Sequence, residues 1–157
     1  MDVTVLHDFN VREFEQLMAD YNRAAKKARK PEADYMHRQG NVTTLESPTT
    51  VYHAMDPGLL KEVRLKHDGQ MTDFKNTITK SINNGVPLTW GCVVGIVKEN
   101  PNPNGFGGHM RLIIGYNDTK KEIIFSDSWG AGHEKKRMAA PDASAATMGL
   151  YLLQPSA

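Results

Sequence analysis

The stretch between Gly107 and Gly130 constrains the fold of this chain more than any other. Two apolar runs, Met-Arg-Leu-Ile-Ile-Gly-Tyr and Glu-Ile-Ile-Phe, stand on either side of the polar segment Asn-Asp-Thr-Lys-Lys. β-Branched and aromatic runs separated by turn-forming residues are typical of an antiparallel β-hairpin. The sequence therefore predicts a hairpin whose open end carries His109 at the start of the first strand and Asp127 at the end of the second.

The spacing of His109 and Asp127 decides whether their side chains can meet. The separation is even, so without a bulge they share a face only if paired residues have numbers with an even sum. A three-residue loop at positions 117–119, with Tyr116 opposite Lys120, gives such a register. It sets His109 directly opposite Asp127, with Cβ atoms roughly 4.5–5.5 Å apart. The pair then has the form of a general base and its orienting acid.

The two ends of this hairpin resemble the His and Asn-Ser-Trp-Gly regions of papain-like cysteine peptidases. Gly108-His109 leads the first strand, and Asp127-Ser128-Trp129-Gly130 follows the second. The resemblance runs from about Val86 to Pro155, with weaker likeness in the preceding helices. It is to the bacterial branch that includes the bacteriocin-processing double-glycine peptidases and their secreted relatives.

This resemblance implies an α+β, papain-like fold in which N-terminal helices pack on a mainly antiparallel β-sheet. It also implies roles for individual residues. His109 would be the catalytic base and Asp127 its orienting partner. Trp129 and Gly108 would form walls of the site, with Trp129 shielding the His–Asp hydrogen bond from water. The implied partner is a peptide or protein substrate, and no cofactor or metal is expected.

The nucleophile departs from the family pattern. Papain-like peptidases place their cysteine at the start of a long helix far upstream of the His, with a Gln ahead of it. The one cysteine here, Cys92, lies instead in the apolar run 86–97, which has the pattern of a buried strand. Buried structural thiols are inert, so Cys92 is interpreted as a core residue. Residues 1–157 are expected to form a single domain, the C-terminal portion of a papain-like peptidase domain.

Three classes of function follow. In the first, a missing N-terminal segment or a second chain supplies the cysteine, and this chain alone is inactive. In the second, the protein is a catalytically dead relative that binds peptides or another partner in the same groove. In the third, it is a plain structural or partner-binding α+β domain. A Gln followed by a Cys that opens a helix, encoded upstream of Met1, would distinguish the first class from the others.

Composition excludes several other classes. At 157 residues the chain is long enough for one domain with a substantial core. Its net charge of +1 gives no electrostatic basis for binding nucleic acid, and the basic residues between Arg23 and Lys30 are interpreted as a solvated helix end. No signal peptide precedes Asp2, and no apolar run approaches about 18 residues. The expectation is a soluble chain without membrane insertion and of unassigned compartment, with any export signal encoded upstream.

Other interpretations of the same residues are weaker. An isolated histidine on an apolar strand is commonly a structural one. Zinc binding by Cys92, His109 and His133 fits no standard ligand spacing. Ser126 and Ser128 lack the Gly-x-Ser-x-Gly motif of a serine nucleophile. The glycine-rich stretch 105–108 lacks the Lys and Ser/Thr of a phosphate-binding loop.

Apolar periodicity predicts the remaining elements. A strand is expected up to Leu6, and Asn10 with Glu13 predicts the start of a helix over 10–29. Asp56-Pro57 predicts a second helix start. Helical spacing of the apolar residues from Met71 to Ile82 predicts a third helix. The chain is expected to close with a strand from Gly149.

Overall fold

A six-stranded antiparallel sheet forms the centre of the computed structural model, which describes residues 2–8, 10–66, 74–103 and 107–155. The strands are β1 (Asp2–His7), β2 (Met36–Gln39), β3 (Val42–Leu45), β4 (Leu88–Val94), β5 (Gly107–Asn117), β6 (Glu122–Ser126), β7 (Lys136–Ala139) and β8 (Thr147–Gln154). Their order in the sheet is β1-β8-β4-β5-β6-β7, and β2 and β3 form a separate hairpin. The α+β, mainly antiparallel fold predicted from the sequence is confirmed.

Five helices in the described residues accompany the sheet, and their ends follow the capping residues of the sequence. They are α1 (Val11–Lys27), α2 (Pro48–His53), α3 (Pro57–Lys66), α4 (Phe74–Asn83) and α5 (Ala140–Ala146). The Asn10 side chain accepts a hydrogen bond from the Glu13 N–H (3.1 Å) and so caps α1. Asp56 caps α3 in the same way through the Leu59 N–H (2.9 Å). Both predicted helix starts are confirmed.

The helices cover one face of the sheet, and the hydrophobic core lies between the helices and this face. Leu88, Trp90 and Cys92 alternate along β4 toward this core and are almost fully buried. On β5, by contrast, Met110, Leu112 and Ile114 point away from it and are exposed. The positions that alternate with these exposed ones therefore face the core, and His109 and Arg111 are among them.

The turn of the β5–β6 hairpin differs from the predicted turn. The last pair before the turn is Asn117 with Glu122, so the loop comprises positions 118–121. The Asn117 side chain accepts a hydrogen bond from the Lys120 N–H (3.0 Å), and Lys121 adopts a left-handed φ of 55°. These residues reverse the chain later than a three-residue loop would. The predicted loop at positions 117–119 is therefore wrong.

A β-bulge in β5 lies between this turn and the open end of the hairpin. Tyr116 pairs with Ile123 on the turn side, and Ile113 pairs with Phe125 on the other side. Between these two pairs β5 advances one residue more than β6, and the extra residue is accommodated near Ile114. A shift of one residue changes which side chains of the two strands share a face.

The bulge puts His109 and Asp127 on the same face. In the turn-side register, Asp127 would lie beside Leu112, which is an odd number of residues from His109 and faces the other way. Beyond the bulge, Leu112 pairs with Ser126, so Asp127 follows beside Arg111. Arg111 shares the face of His109. Direct opposition of His109 and Asp127 is thus wrong, and the two side chains meet diagonally.

Several other elements differ from the sequence analysis. The strand expected over 86–97 is shorter, because β4 ends at Val94 and a left-handed Gly95 (φ 98°) begins a turn. The sequence analysis did not predict strands β2, β3 and β7 or helices α2 and α5. The expected helix residue Met71 and positions 105–106 of the glycine-rich stretch lie outside the described residues. In the part of the chain that the structure describes, no helix has the length and apolar character needed to cross a membrane.

Candidate active site

His109 lies near the start of β5, directly opposite Cys92 on β4. Its side chain is 21% exposed, so solvent reaches the imidazole from one side. On the other side, the His109 Nε2 atom lies 2.8 Å from the Asp127 Oδ1 atom. The predicted histidine and carboxylate are therefore in hydrogen-bond contact.

Asp127 is the first residue after β6, and its side chain is completely buried. Its Oδ1 atom accepts hydrogen bonds from His109 and from the Ser128 N–H (2.7 Å). Its Oδ2 atom accepts one from the Arg111 Nε–H (2.8 Å). Burial favours the neutral acid, but the hydrogen bonds from His109, Arg111 and Ser128 outweigh it and lower the pKa of Asp127. The group is an anion at neutral pH.

This contact fixes the tautomer of the His109 ring. An ionised carboxylate only accepts hydrogen bonds, so the His109 Nε2 atom must carry the proton. In the neutral ring, Nδ1 then has the unprotonated lone pair. Nδ1 is therefore the atom that can take a proton from a nucleophile, while Asp127 holds the ring in place.

Trp129 covers one face of the His109 ring. The two rings are stacked, with centroids 4.1 Å apart and planes inclined by 11°. Trp129 is itself 41% exposed, so it is not a core residue. His133 meets the Trp129 ring edge-on, with centroids 5.5 Å apart. The indole thus covers part of the imidazole.

Gly107 and Gly108 precede His109 on β5. Gly108 directly precedes His109 on β5 at an exposed position, and its place as a site wall stays a prediction. Gly107 lies on the His109 side and has a φ of 138°. A Cβ atom at Gly107 would collide with the imidazole of His53. The positive φ favours glycine at this position, and a larger side chain would also require the His53 ring to move.

Cys92 is a core residue, as its sequence context predicted. It is 1% exposed, and it shares the inward face of β4 with Trp90. Burial raises the pKa of the Cys92 thiol to about 12, although Arg111 acts in the opposite direction. The thiol lies beside His109 in the sheet, but burial and its raised pKa suppress the thiolate there.

We expect Cys92 to react slowly with a soluble thiol reagent in the native protein. The reactive species is the thiolate, and both burial and the raised pKa suppress it. Labelling rates measured by mass spectrometry in native buffer and in urea test this, because the unfolded chain serves as the exposed control. Native labelling as fast as labelling in urea would contradict the assignment.

A chain of buried charges extends from Asp127 into the protein. The Arg111 Nη2 atom donates to Glu99 Oε1 (2.8 Å) and Oε2 (3.1 Å). The Lys136 Nζ atom donates to Glu99 Oε1 (2.6 Å) and to the Pro101 carbonyl oxygen (2.7 Å). The side chains of Arg111, Glu99 and Lys136 are each at most 2% exposed. Two cations and two anions, counting Asp127, therefore alternate in a water-excluded row.

Sequence reasoning missed Arg111, Glu99 and Lys136. For Arg111 a signal existed, because it lies two residues after His109 and must share its face in any strand. Glu99 lies in the irregular segment after β4, and Lys136 lies in the unpredicted β7, so no local pattern marks either residue. The described residues contain no group of three or more His, Cys, Asp or Glu side chains able to hold a metal ion.

The fold and the oriented imidazole define a class of protein. A histidine held by a buried carboxylate, on an antiparallel sheet backed by helices, is the arrangement of a cysteine peptidase-like domain. The chain belongs to the Peptidase_C39 like family, whose model matches residues 8–151. No curated protein and no solved structure matches the sequence.

Proposed function

We propose that this chain supplies the general base and the orienting acid of a cysteine peptidase that hydrolyses peptide or protein substrates. The observation that carries the proposal is the 2.8 Å contact between the His109 Nε2 atom and the buried carboxylate of Asp127. It leaves Nδ1 as the basic nitrogen of a ring that solvent reaches. Family membership supports the same class of chemistry.

The proposed reaction has two stages. His109 Nδ1 takes the proton of a cysteine thiol, and the thiolate attacks the carbonyl carbon of the scissile peptide bond. The imidazolium, held by Asp127, then gives its proton to the leaving amine as the C–N bond breaks. In the second stage His109 takes a proton from water, the hydroxide attacks the thioester, and the thiol leaves with that proton.

The nucleophile in this proposal comes from outside the sequence, either from an upstream segment or from a second chain. Cys92 does not fit the role, since it is 1% exposed and its thiol has a raised pKa. The chain would then be the C-terminal portion of a peptidase domain. Placement in the bacteriocin-processing branch stays a prediction.

We expect this chain alone to show no thiol-dependent hydrolysis of peptides. His109 and Asp127 have no accessible thiol to activate within the described residues. A fluorogenic peptide library, assayed with and without a thiol-alkylating reagent, tests this. Turnover that is abolished by Cys92→Ala would overturn the account of Cys92.

The positive test uses the complete product of the reading frame that encodes this chain, together with any chain that co-purifies with it. Its thiol-dependent hydrolysis should fall by about 10²–10⁴-fold in His109→Ala, since that is the usual contribution of a general base. His37→Ala is the matched control, because His37 is exposed, pairs with Glu46 and lies on the separate β2–β3 hairpin.

Two results would count against the proposal. One is a complete reading frame and partner set without an accessible cysteine. The other is hydrolysis that His109→Ala leaves at the His37→Ala level. A complete protein that binds peptides but does not hydrolyse them would support the catalytically dead alternative instead.

A further inference from the structure

We infer that Arg111 is a positioning residue for the His109–Asp127 pair, and that Glu99 and Lys136 hold Arg111 in place. The inference rests on the proposed function, because it assigns a role in orienting the general base. In the described hydrogen bonds, Arg111 reaches His109 only through Asp127.

Arg111 uses two nitrogens for two different anions. Its Nε atom donates to Asp127 Oδ2, and its Nη2 atom donates to both oxygens of Glu99. A planar guanidinium fixes the angle between these bonds, whereas a lysine ammonium is a single point of charge. The position of Glu99 therefore determines how Arg111 presents Nε to Asp127.

Hydrogen bonds to both of its oxygens hold the Asp127 carboxylate in one orientation. One oxygen is held by His109 and the Ser128 N–H, and the other by Arg111. Without the Arg111 bond, the Oδ2 atom would be a buried anion with no donor, and the carboxylate would turn toward another one. Such a rotation would move Oδ1 away from the His109 Nε2–H.

Arg111 also supports the second group that contacts the His109 ring. The Arg111 guanidinium carbon lies 5.5 Å from the centroid of the Trp129 ring and 4.7 Å from that of Phe125. Trp129 in turn stacks on His109. Arg111 thus contacts both the hydrogen-bond partner and the stacking partner of the imidazole, which a residue with a purely structural role need not do.

Lys136 holds the far end of the chain. It donates to Glu99 and to the Pro101 carbonyl oxygen, and it approaches the His133 Nδ1 atom to 3.3 Å. His133 contacts Trp129. The contacts therefore form a closed circuit that starts and ends at His109, and a change at Lys136 reaches the imidazole by two routes.

The test measures the His109 Nε2–H proton by NMR, in the chain as it exists. A buried hydrogen bond to Asp127 should slow exchange of this proton with water and make its signal visible; His109→Ala identifies the signal. The informative variant is the pair Glu99→Gln with Lys136→Met, because it removes one anion and one cation and keeps the buried charge balanced. Arg111→Lys is a second variant that keeps the charge but loses the fork.

We expect both variants to fold, by their amide spectra, and to exchange the His109 Nε2–H proton at least tenfold faster than the wild type. Arg137→Met is the control, since Arg137 neighbours Lys136 on β7 but faces outward. Folded variants that retain the wild-type signal and exchange rate would show that Arg111, Glu99 and Lys136 are only structural.

This outcome is separable from failure of the proposed function. A wild-type protein that shows no protected Nε2–H proton would remove the basis of the proposed function itself. A protected proton that the variants leave unchanged would remove only the positioning role.

Discussion

Glu99→Gln should lower the free energy of unfolding by about 3–5 kcal/mol, the usual cost of breaking a buried ion pair from one side. Glu99 accepts hydrogen bonds from both Arg111 and Lys136, and all three side chains are at most 2% exposed. A glutamine has almost the same shape but no charge, and its NH₂ group would face a donor. Arg111 would then keep one carboxylate partner, Asp127, and Lys136 would keep none among the described residues. Urea denaturation at neutral pH measures the loss.

Two further variants separate charge balance from other causes. Lys136→Met added to Glu99→Gln should recover much of the lost stability, because it removes the second uncompensated cation. Asp34→Asn breaks the exposed pair between Asp34 and Arg38 and should change stability far less. A Glu99→Gln protein as stable as the Asp34→Asn protein would contradict the role given to the buried charges.

The hairpin could be predicted because its local patterns agree with each other. Apolar runs on both sides of a polar turn fix the two strands, and histidine and aspartate stand at the ends that a hairpin brings together. The Asp-Ser-Trp-Gly motif around Trp129 indicated the protein family. Secondary structure and the identity of the two site residues are both local properties of the sequence.

The register could not be predicted, because it depends on a bulge that no residue type marks. The turn at positions 118–121 and the extra residue near Ile114 each shift the pairing. Together they restore a common face for His109 and Asp127, so the predicted contact is present although the predicted pairing is wrong. A contact predicted from a register without bulges is therefore correct only by chance.

Alternation along β5 hides the buried charges from sequence reasoning. The apolar side chains Met110, Leu112 and Ile114 suggest a core face, yet they are the exposed ones. The polar positions His109 and Arg111 face inward. Arg111 can be buried there only because Glu99 and Asp127 neutralise it, and both partners come from segments distant in sequence. Such tertiary compensation has no local signature.

Asp127→Asn should lower the free energy of unfolding by about 3 kcal/mol at neutral pH, at the lower end of the cost of breaking a buried charge pair. Both oxygens of Asp127 accept hydrogen bonds, from His109 and Ser128 on one side and from Arg111 on the other. An asparagine offers one acceptor, so either orientation turns its NH₂ group toward a donor. The arrangement therefore requires aspartate at this position.

The difference between wild type and Asp127→Asn should also depend on pH. Hydrogen bonds lower the pKa of Asp127 in the folded state. At acidic pH the folded protein therefore binds fewer protons at this residue than the unfolded chain does. Its contribution is complete above the ordinary pKa of 3.8 and is lost as pH falls through the lower, folded pKa. Asp34, Asp56 and Asp118 also have lowered pKa values, but they are common to both proteins and cancel in the difference. Urea denaturation of both proteins from neutral to acidic pH should show the gap narrowing below that ordinary value; a gap that stays constant would mean that the charge of Asp127 does not stabilise the site.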